Sequence, residues 1–413
     1  MRYLIKNATI LNGEDLLKGQ DLLIQDNVLE KIGPSLEDTS AEEIIGKDLW
    51  VFHGFCDIGA QVKDPGFEHL EDIHSLQRTA GSGGYTQVAV FPNTNPTIHS
   101  KAEVKYIANS QDNKIPCRLS TIGAVTRDSL GVDIAEMMEM NEAGAVAFSD
   151  GRKSIQIGGV MMRALLYVKS FGGLVINRPE DASLFHEPQM HEGLTSTSLG
   201  MRGQAGIAEE LFLERDLSLL EYTDSKLLVY GLSSAKSVAR VRAAKQAGLQ
   251  VSASVCIWNL IFTDKDLGGF DPNYKLKPML RSESDRRALI EGLKDGTIEH
   301  IVSNHDAYDA EDKKLEFSYA EFGAIGLQTM LSAYDTYLSE EIDLSVFINT
   351  LSRNNRALLQ LGVLELKEGM PVEINVFDRG ETWDYNAASN TSKCDNSPLF
   401  LKELKTKHIL TIN

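Results

Sequence analysis

Two rhythms of apolar and polar positions divide the chain. Residues 1–50 alternate, with Leu4, Ile5, Ile10, Leu11, Leu22, Leu23, Ile24, Val28, Leu29 and Ile32 as the apolar members. Asn12-Gly13 and Asp26-Asn27 punctuate them, which predicts short antiparallel strands joined by tight turns. The same style returns at Val372–Phe377 and His408–Ile412. Both ends are therefore expected to form one small β-sandwich domain, residues 1–50 plus 361–413, around a middle of 51–360.

The middle reads differently. Short runs rich in β-branched residues occur at 50–58, 87–91, 118–124, 145–149, 173–177, 226–230, 250–255 and 299–303. Amphipathic helical stretches fit between them, for example 234–247 and 284–294. Repeated strand–helix units imply a parallel sheet with right-handed crossovers. Eight of them close most economically into an α/β TIM (β/α)8 barrel, and no GxGxxG follows the first strand to favour an open doubly wound sheet. In such a barrel the chemistry sits where strands end and the following loops begin.

Composition narrows the function classes. The 413 residues are 42% hydrophobic and 24% charged, ordinary for a globular protein. With 41 Lys+Arg against 59 Asp+Glu, the net charge of −18 repels phosphate backbones, so no nucleic acid partner is expected. No apolar run of spanning length or secretion signal is visible, and Cys56, Cys117, Cys256 and Cys394 show no CxxC pairing. A cytoplasmic protein with reduced, structural thiols and no membrane contact is the expectation. Cys56 and Cys256 lie in apolar stretches, which suits core packing better than nucleophilic catalysis.

The predicted strand ends carry recognisable text. The first reads Asp57-Ile58-Gly59-Ala60-Gln61-Val62-Lys63-Asp64-Pro65-Gly66-Phe67-Glu68, and the second is followed by Pro92-Asn93-Thr94-Asn95-Pro96. Ala147-Phe148-Ser149-Asp150-Gly151, Glu180-Asp181, Ser233-Ser234-Ala235-Lys236, Lys277-Pro278-Met279-Leu280-Arg281, Val302-Ser303-Asn304-His305 and Asn396-Ser397-Pro398 follow in order. This series resembles the dihydroorotase branch of the amidohydrolase superfamily over nearly the whole chain. The family text is close to D-x-H-x-H-L-R-D-P-G-x-E at strand one and P-N-T-x-P at strand two. The resemblance implies cyclisation of carbamoyl aspartate to dihydroorotate in pyrimidine synthesis, with zinc held by histidines and carboxylates at the strand ends.

This chain departs from the family at those ligands. The positions implied by the resemblance are occupied by Gly59, Gln61, Gly151, Arg178, Gly231 and Asn304. Glycine offers no donor, a glutamine amide is a poor zinc ligand, and arginine stays protonated and repels a cation. Asparagine accepts no proton near neutrality. The anionic ligands have gone with the imidazoles, so the site is electrostatically consistent without a cation. No HxH or HExxH pair occurs elsewhere, and Pro188 interrupts His186 and His191. No metal and no other cofactor is therefore expected, although zinc is the family's.

The substrate-carboxylate grip of the family maps to Lys63 and Asn93, which with Lys277 and His305 form a candidate residual anion pocket, and Lys63, Arg178 and Lys277 are candidates to converge into a cationic pocket for a small anion. The competing expectation is that Lys63, Arg178 and Lys277 neutralise Asp57, Asp64, Asp150 or Glu180. The exposed segment Asp306–Phe317 resembles the family's mobile loop over the active site. Degenerate members of the family imply a non-catalytic scaffold, in a homo- or hetero-oligomer, with aspartate carbamoyltransferase as partner. The alternative is an active cyclic amidohydrolase with an atypical metal site, kept open by Asn93, Asp150 and His305.

Overall fold

A computed structural model describes residues 1–13, 15–362 and 364–413. The middle of the chain forms an eight-stranded parallel sheet in sequential order. Its strands are Phe55–Gln61, Tyr85–Phe91, Arg118–Gly123, Ala145–Phe148, Val175–Asn177, Leu227–Val229, Val251–Cys256 and His300–Val302. The last returns to the first. Gln61 donates its backbone N–H to the His305 carbonyl at 2.8 Å. Across the same seam Asp57 accepts from the Ser303 backbone N–H at 2.8 Å and from its hydroxyl at 2.5 Å. The sheet thus curls into the nearly closed barrel that the eight strand–helix units predict.

Inside the barrel lie Cys56, Ile58, Ala89, Phe91, Ile122, Ala147, Ile176, Leu228, Tyr230, Cys256 and Val302, all buried. Helices pack outside and start where the sequence supplies caps. Asp72 and Ser75 form a capping box on Ile73–Ser82, and Ser100 and Glu103 do so on Lys101–Asn109. Ser234 and Ser282 cap Ala235–Gln246 and Glu283–Lys294, close to the helices predicted from periodicity.

The termini build a separate seven-stranded sheet. It contains Arg2–Asn12, Asp15–Gln25, Val28–Gly33, Glu42–Ile44, Leu49–His53, Ile374–Tyr385 and Lys402–Ile412. Asp26 and Asn27 both adopt positive φ, 49° and 65°, the conformation of a two-residue hairpin turn.

One predicted strand is corrected. The apolar run 50–58 is two strands, because the chain passes from one sheet to the other at Gly54. Leu49–His53 pairs antiparallel with Ile374–Asp378, whereas Phe55–Gln61 pairs parallel with Tyr85–Phe91. A Cβ at residue 54 would lie 2.8 Å from Thr86 Cβ, so the crossing needs glycine. A continuous apolar run does not reveal such a break, since both halves are buried. Among the described residues no helix is long and apolar enough to cross a membrane.

Candidate functional site at the barrel mouth

The six positions that the resemblance assigns to metal ligands lie at strand ends of the barrel. Gly59 and Gln61 end the first strand, while Gly151, Arg178, Gly231 and Asn304 follow the fourth, fifth, sixth and eighth. Gln61, Arg178 and Asn304 share a cleft of about 480 Å³ with Asn93, Arg152, Lys277 and Asp306.

The floor of the cleft is packed with protein. A Cβ at Gly59, where φ is +86°, would meet Phe91 Cε2 at 2.5 Å and Tyr230 Cε2 at 2.9 Å. The two rings meet edge to face, 5.0 Å between centroids at 70°, and each is 1% exposed. The Tyr230 hydroxyl donates to the Gly59 carbonyl at 3.4 Å. At Gly231, where φ is +73°, a Cβ would lie 2.8 Å from Pro278 Cγ, and one at Gly151 would collide with the Asn93 amide oxygen. Three ligand positions are therefore glycines under close-packed neighbours, and none has room for a side chain without rearrangement.

The charges around the cleft are mostly paired. Lys63 Nζ lies 2.6 Å from Asp306 and 4.4 Å from the centre of the Tyr308 ring. Arg152 approaches the same carboxylate at 3.4 Å. Burial raises the Asp306 pKa, but Arg152 and Lys63 more than offset it, leaving the group below its ordinary value. Lys277 donates to Glu180 at 2.8 Å. Burial also pushes Glu180 up, and Lys277 with Arg178 brings it below the usual carboxylate range. Asn93 uses both ends of its amide on the adjacent turn, donating to the Asp150 carbonyl and accepting from the Arg152 N–H.

The structure does not gather Lys63, Asn93, Lys277 and His305 into one anion pocket. His305 is fully buried and faces away. Its Nε2 lies 3.4 Å from Glu71, which also accepts from Ser392 at 2.6 Å, and its Nδ1 accepts from the Gly326 and Leu327 N–H groups. The neutralisation expected at Asp57, Asp64, Asp150 and Glu180 occurs by salt bridge only at Glu180. Asp57 is held by Ser303, Asp150 by the Thr126 N–H and hydroxyl, and Asp64 by the Tyr106 hydroxyl. Burial raises Asp57 to about 6 and Asp150 above its ordinary value, so neutral hydrogen bonds compensate only part of the desolvation.

These donors do not fit zinc. Gly59, Gly151 and Gly231 carry none, and Arg178 brings a positive charge. The Asn304 amide N–H is turned to the Lys277 carbonyl at 2.8 Å. The remaining imidazole and carboxylate, His305 and Asp150, are committed to other partners. Among the described residues no three His, Cys, Asp or Glu side chains cluster as a metal site. A thiol nucleophile fits no better, since burial pushes Cys256 to about 12 and Cys56 higher still.

The segment after His305 is only in part the exposed loop expected: Ala310, Glu311, Lys314, Leu315 and Glu316 are exposed, but others are not. Asp306, Ala307, Tyr308, Lys313 and Phe317 are all buried. Lys313 donates to the Glu321 and Gly323 carbonyls at 2.8 and 3.0 Å, and Lys275 to those of Ser318 and Ala320. Two ammonium groups thus hold the loop from within. Lysines in a charged stretch read as solvated in the sequence, and their carbonyl partners leave no composition signal. Sequence reasoning also missed a buried knot beside the cleft. Arg281 there bonds Ser233, Glu209 and His191, and Glu209 accepts from the Ser233 hydroxyl.

Fold and site together define a class. The nearly closed barrel with a sheet from both termini is that of L-hydantoinase (dihydropyrimidinase) from Arthrobacter aurescens, with a TM-score of 0.84 at 19% identity over 99% of this chain and 94% of that one. Dihydropyrimidinase from Brevibacillus agri gives 0.82 at 19% identity over 100% and 94%. The chain therefore has the amidohydrolase fold. Residues 50–237 match a family model described as dihydro-orotase-like. A dihydroorotase of Caldicellulosiruptor saccharolyticus is 36% identical over 99% of this chain and 96% of its own. One from Ruminiclostridium cellulolyticum is 34% identical over 96% and 94%. The chain belongs to the dihydroorotase family.

Proposed function

We propose that this chain is a dihydroorotase-like member of pyrimidine biosynthesis that is non-catalytic and serves as a structural or regulatory partner of aspartate carbamoyltransferase in a cytoplasmic oligomer. The observation carrying the reading is the packing of Phe91 and Tyr230 against Gly59, beside a cation at Arg178. Hydrolysis or closure of a cyclic amide needs a polarised carbonyl and an activated water or amide nitrogen. Among the described residues the positions that the resemblance assigns to metal ligands supply no donor set for a Lewis acid, and the buried carboxylates Asp57 and Asp150 are closed off by hydrogen bonds. Asp57 is sealed by Ser303, and Asn304 is neutral. The internally fastened 306–323 segment supports a scaffold role, because it presents a fixed surface where a working lid must move.

The test is one purification with two readouts. The expected protein retains fewer than about 0.1 zinc per chain, since affinity falls with each missing ligand. It shows no dihydroorotate hydrolysis above buffer, and it elutes with the aspartate carbamoyltransferase of the same organism after co-expression. The 36% identity to a dihydroorotase favours a second reading, an active cyclic amidohydrolase with an atypical metal site. Stoichiometric zinc together with turnover would establish that reading and reject the first.

A further inference from the structure

Arg178 differs from Lys63, Arg152 and Lys277 of the barrel mouth. It is only 7% exposed, yet its Nε has no hydrogen-bond partner. Lys63 and Arg152 have Asp306, and Lys277 has Glu180. Among the described residues no carboxylate comes within salt-bridge distance of Arg178. Its guanidinium instead lies 5.8 Å from the centre of the Tyr230 ring, which braces it at the cleft wall. Glu180 lies close enough to feel the Arg178 charge, but its carboxylate is bonded to Lys277 and Gln204, so the planar fork is left for a bidentate oxyanion.

A second observation points the same way. Gln61 is 4% exposed and lines the same cleft, and its Oε1 is also without a partner. A half-turn of its carboxamide exchanges acceptor for donor, so it offers a neutral hydrogen bond beside the charged one. Lys153 stands on the exposed rim of the cleft and adds a further positive charge at the entrance.

We propose that the barrel mouth binds a small carboxylate, with Arg178 as its bidentate anchor and Gln61 as the adjacent hydrogen-bonding group. This is not the Lys63–Asn93 grip, whose members are closed onto Asp306 and onto the 150–152 turn. A position that would repel a metal cation has become the attachment point for an anion. The inference does not depend on whether the protein turns substrate over, so it and the proposed function fail separately.

Calorimetric titration of the full chain with succinate, inorganic phosphate and neutral succinamide tests it. Saturable binding of succinate, no binding of succinamide, and phosphate at least about tenfold weaker are expected. Arg178→Gln weakens succinate about 10- to 100-fold, and Arg178→Lys, which keeps charge but loses the fork, about tenfold. Unliganded Arg178→Gln keeps a single cooperative melting transition, so lost binding is not lost fold. Succinate binding that survives Arg178→Gln, preference for phosphate, or no saturation by about 50 mM succinate would overturn the proposal.

Discussion

The Tyr230 ring occupies the space that a side chain at Gly59 would require. Its Cε2 stands 2.9 Å from a Cβ built there, and its hydroxyl bonds the Gly59 carbonyl. A histidine placed at this position is therefore not expected to create a metal site. Gly59→His must displace both Tyr230 and Phe91 and hold a non-glycine residue at φ +86°. It is expected to lose about 2–4 kcal/mol by urea unfolding, from overpacking and left-handed strain combined. No gain in bound zinc by elemental analysis accompanies it.

Asp57 and Ser303 join the first and last strands of the barrel. Asp57→Asn keeps the shape but turns one acceptor into a donor facing the Ser303 N–H or hydroxyl. A loss of about 1–3 kcal/mol is expected, the cost of a buried unsatisfied polar group. Ser303→Ala leaves the backbone donor in place and is milder. Equal, negligible losses in the two variants would show that the seam does not depend on this pair.

Lys313 holds the 306–323 segment through two carbonyls, and burial lowers its pKa to about 8. Lys313→Met fills similar volume without the donors. Amide exchange of peptides within 306–323 is expected to accelerate at least tenfold, while exchange in the barrel strands stays unchanged, because local opening and global unfolding are separate events. Unaltered exchange in the segment would show that other contacts hold it.

Acid should destabilise the fold through His300 and His408. Burial lowers both to about 4, below the ordinary 6.5. Between pH 6.5 and 4 the unfolded chain binds more protons than the folded one, so stability falls as pH falls through that window. The full shift corresponds to roughly 3 kcal/mol per histidine. Asp57, raised to about 6, acts in the opposite sense, because its folded form holds a proton more tightly and loses stability as pH rises. The two histidines outweigh it. His300→Gln with His408→Gln is expected to flatten the decline in urea midpoint between pH 6.5 and 4.5.

Much of the fold was legible because its signals are local. Turn pairs such as Asp26-Asn27, the caps Ser234 and Ser282, and eight β-branched runs each follow from neighbouring residues. The placing of Gly59, Gln61, Arg178 and Asn304 at the strand ends of one barrel mouth was legible as well, since ordered motifs mark those ends. The break at Gly54 was hidden, because strands entering different sheets are equally apolar.

The sequence by itself determined the architecture, the family and the absence of imidazole and carboxylate from the expected ligand positions. Only the tertiary structure decided what each remaining charge does. Ion pairing depends on approach in space, and nothing along the chain says that Lys63 meets Asp306, that His305 turns to Glu71, or that Lys313 faces inward. Arg178 stays buried with its Nε unbonded beside the Tyr230 ring, a placement that packing imposes and composition does not record.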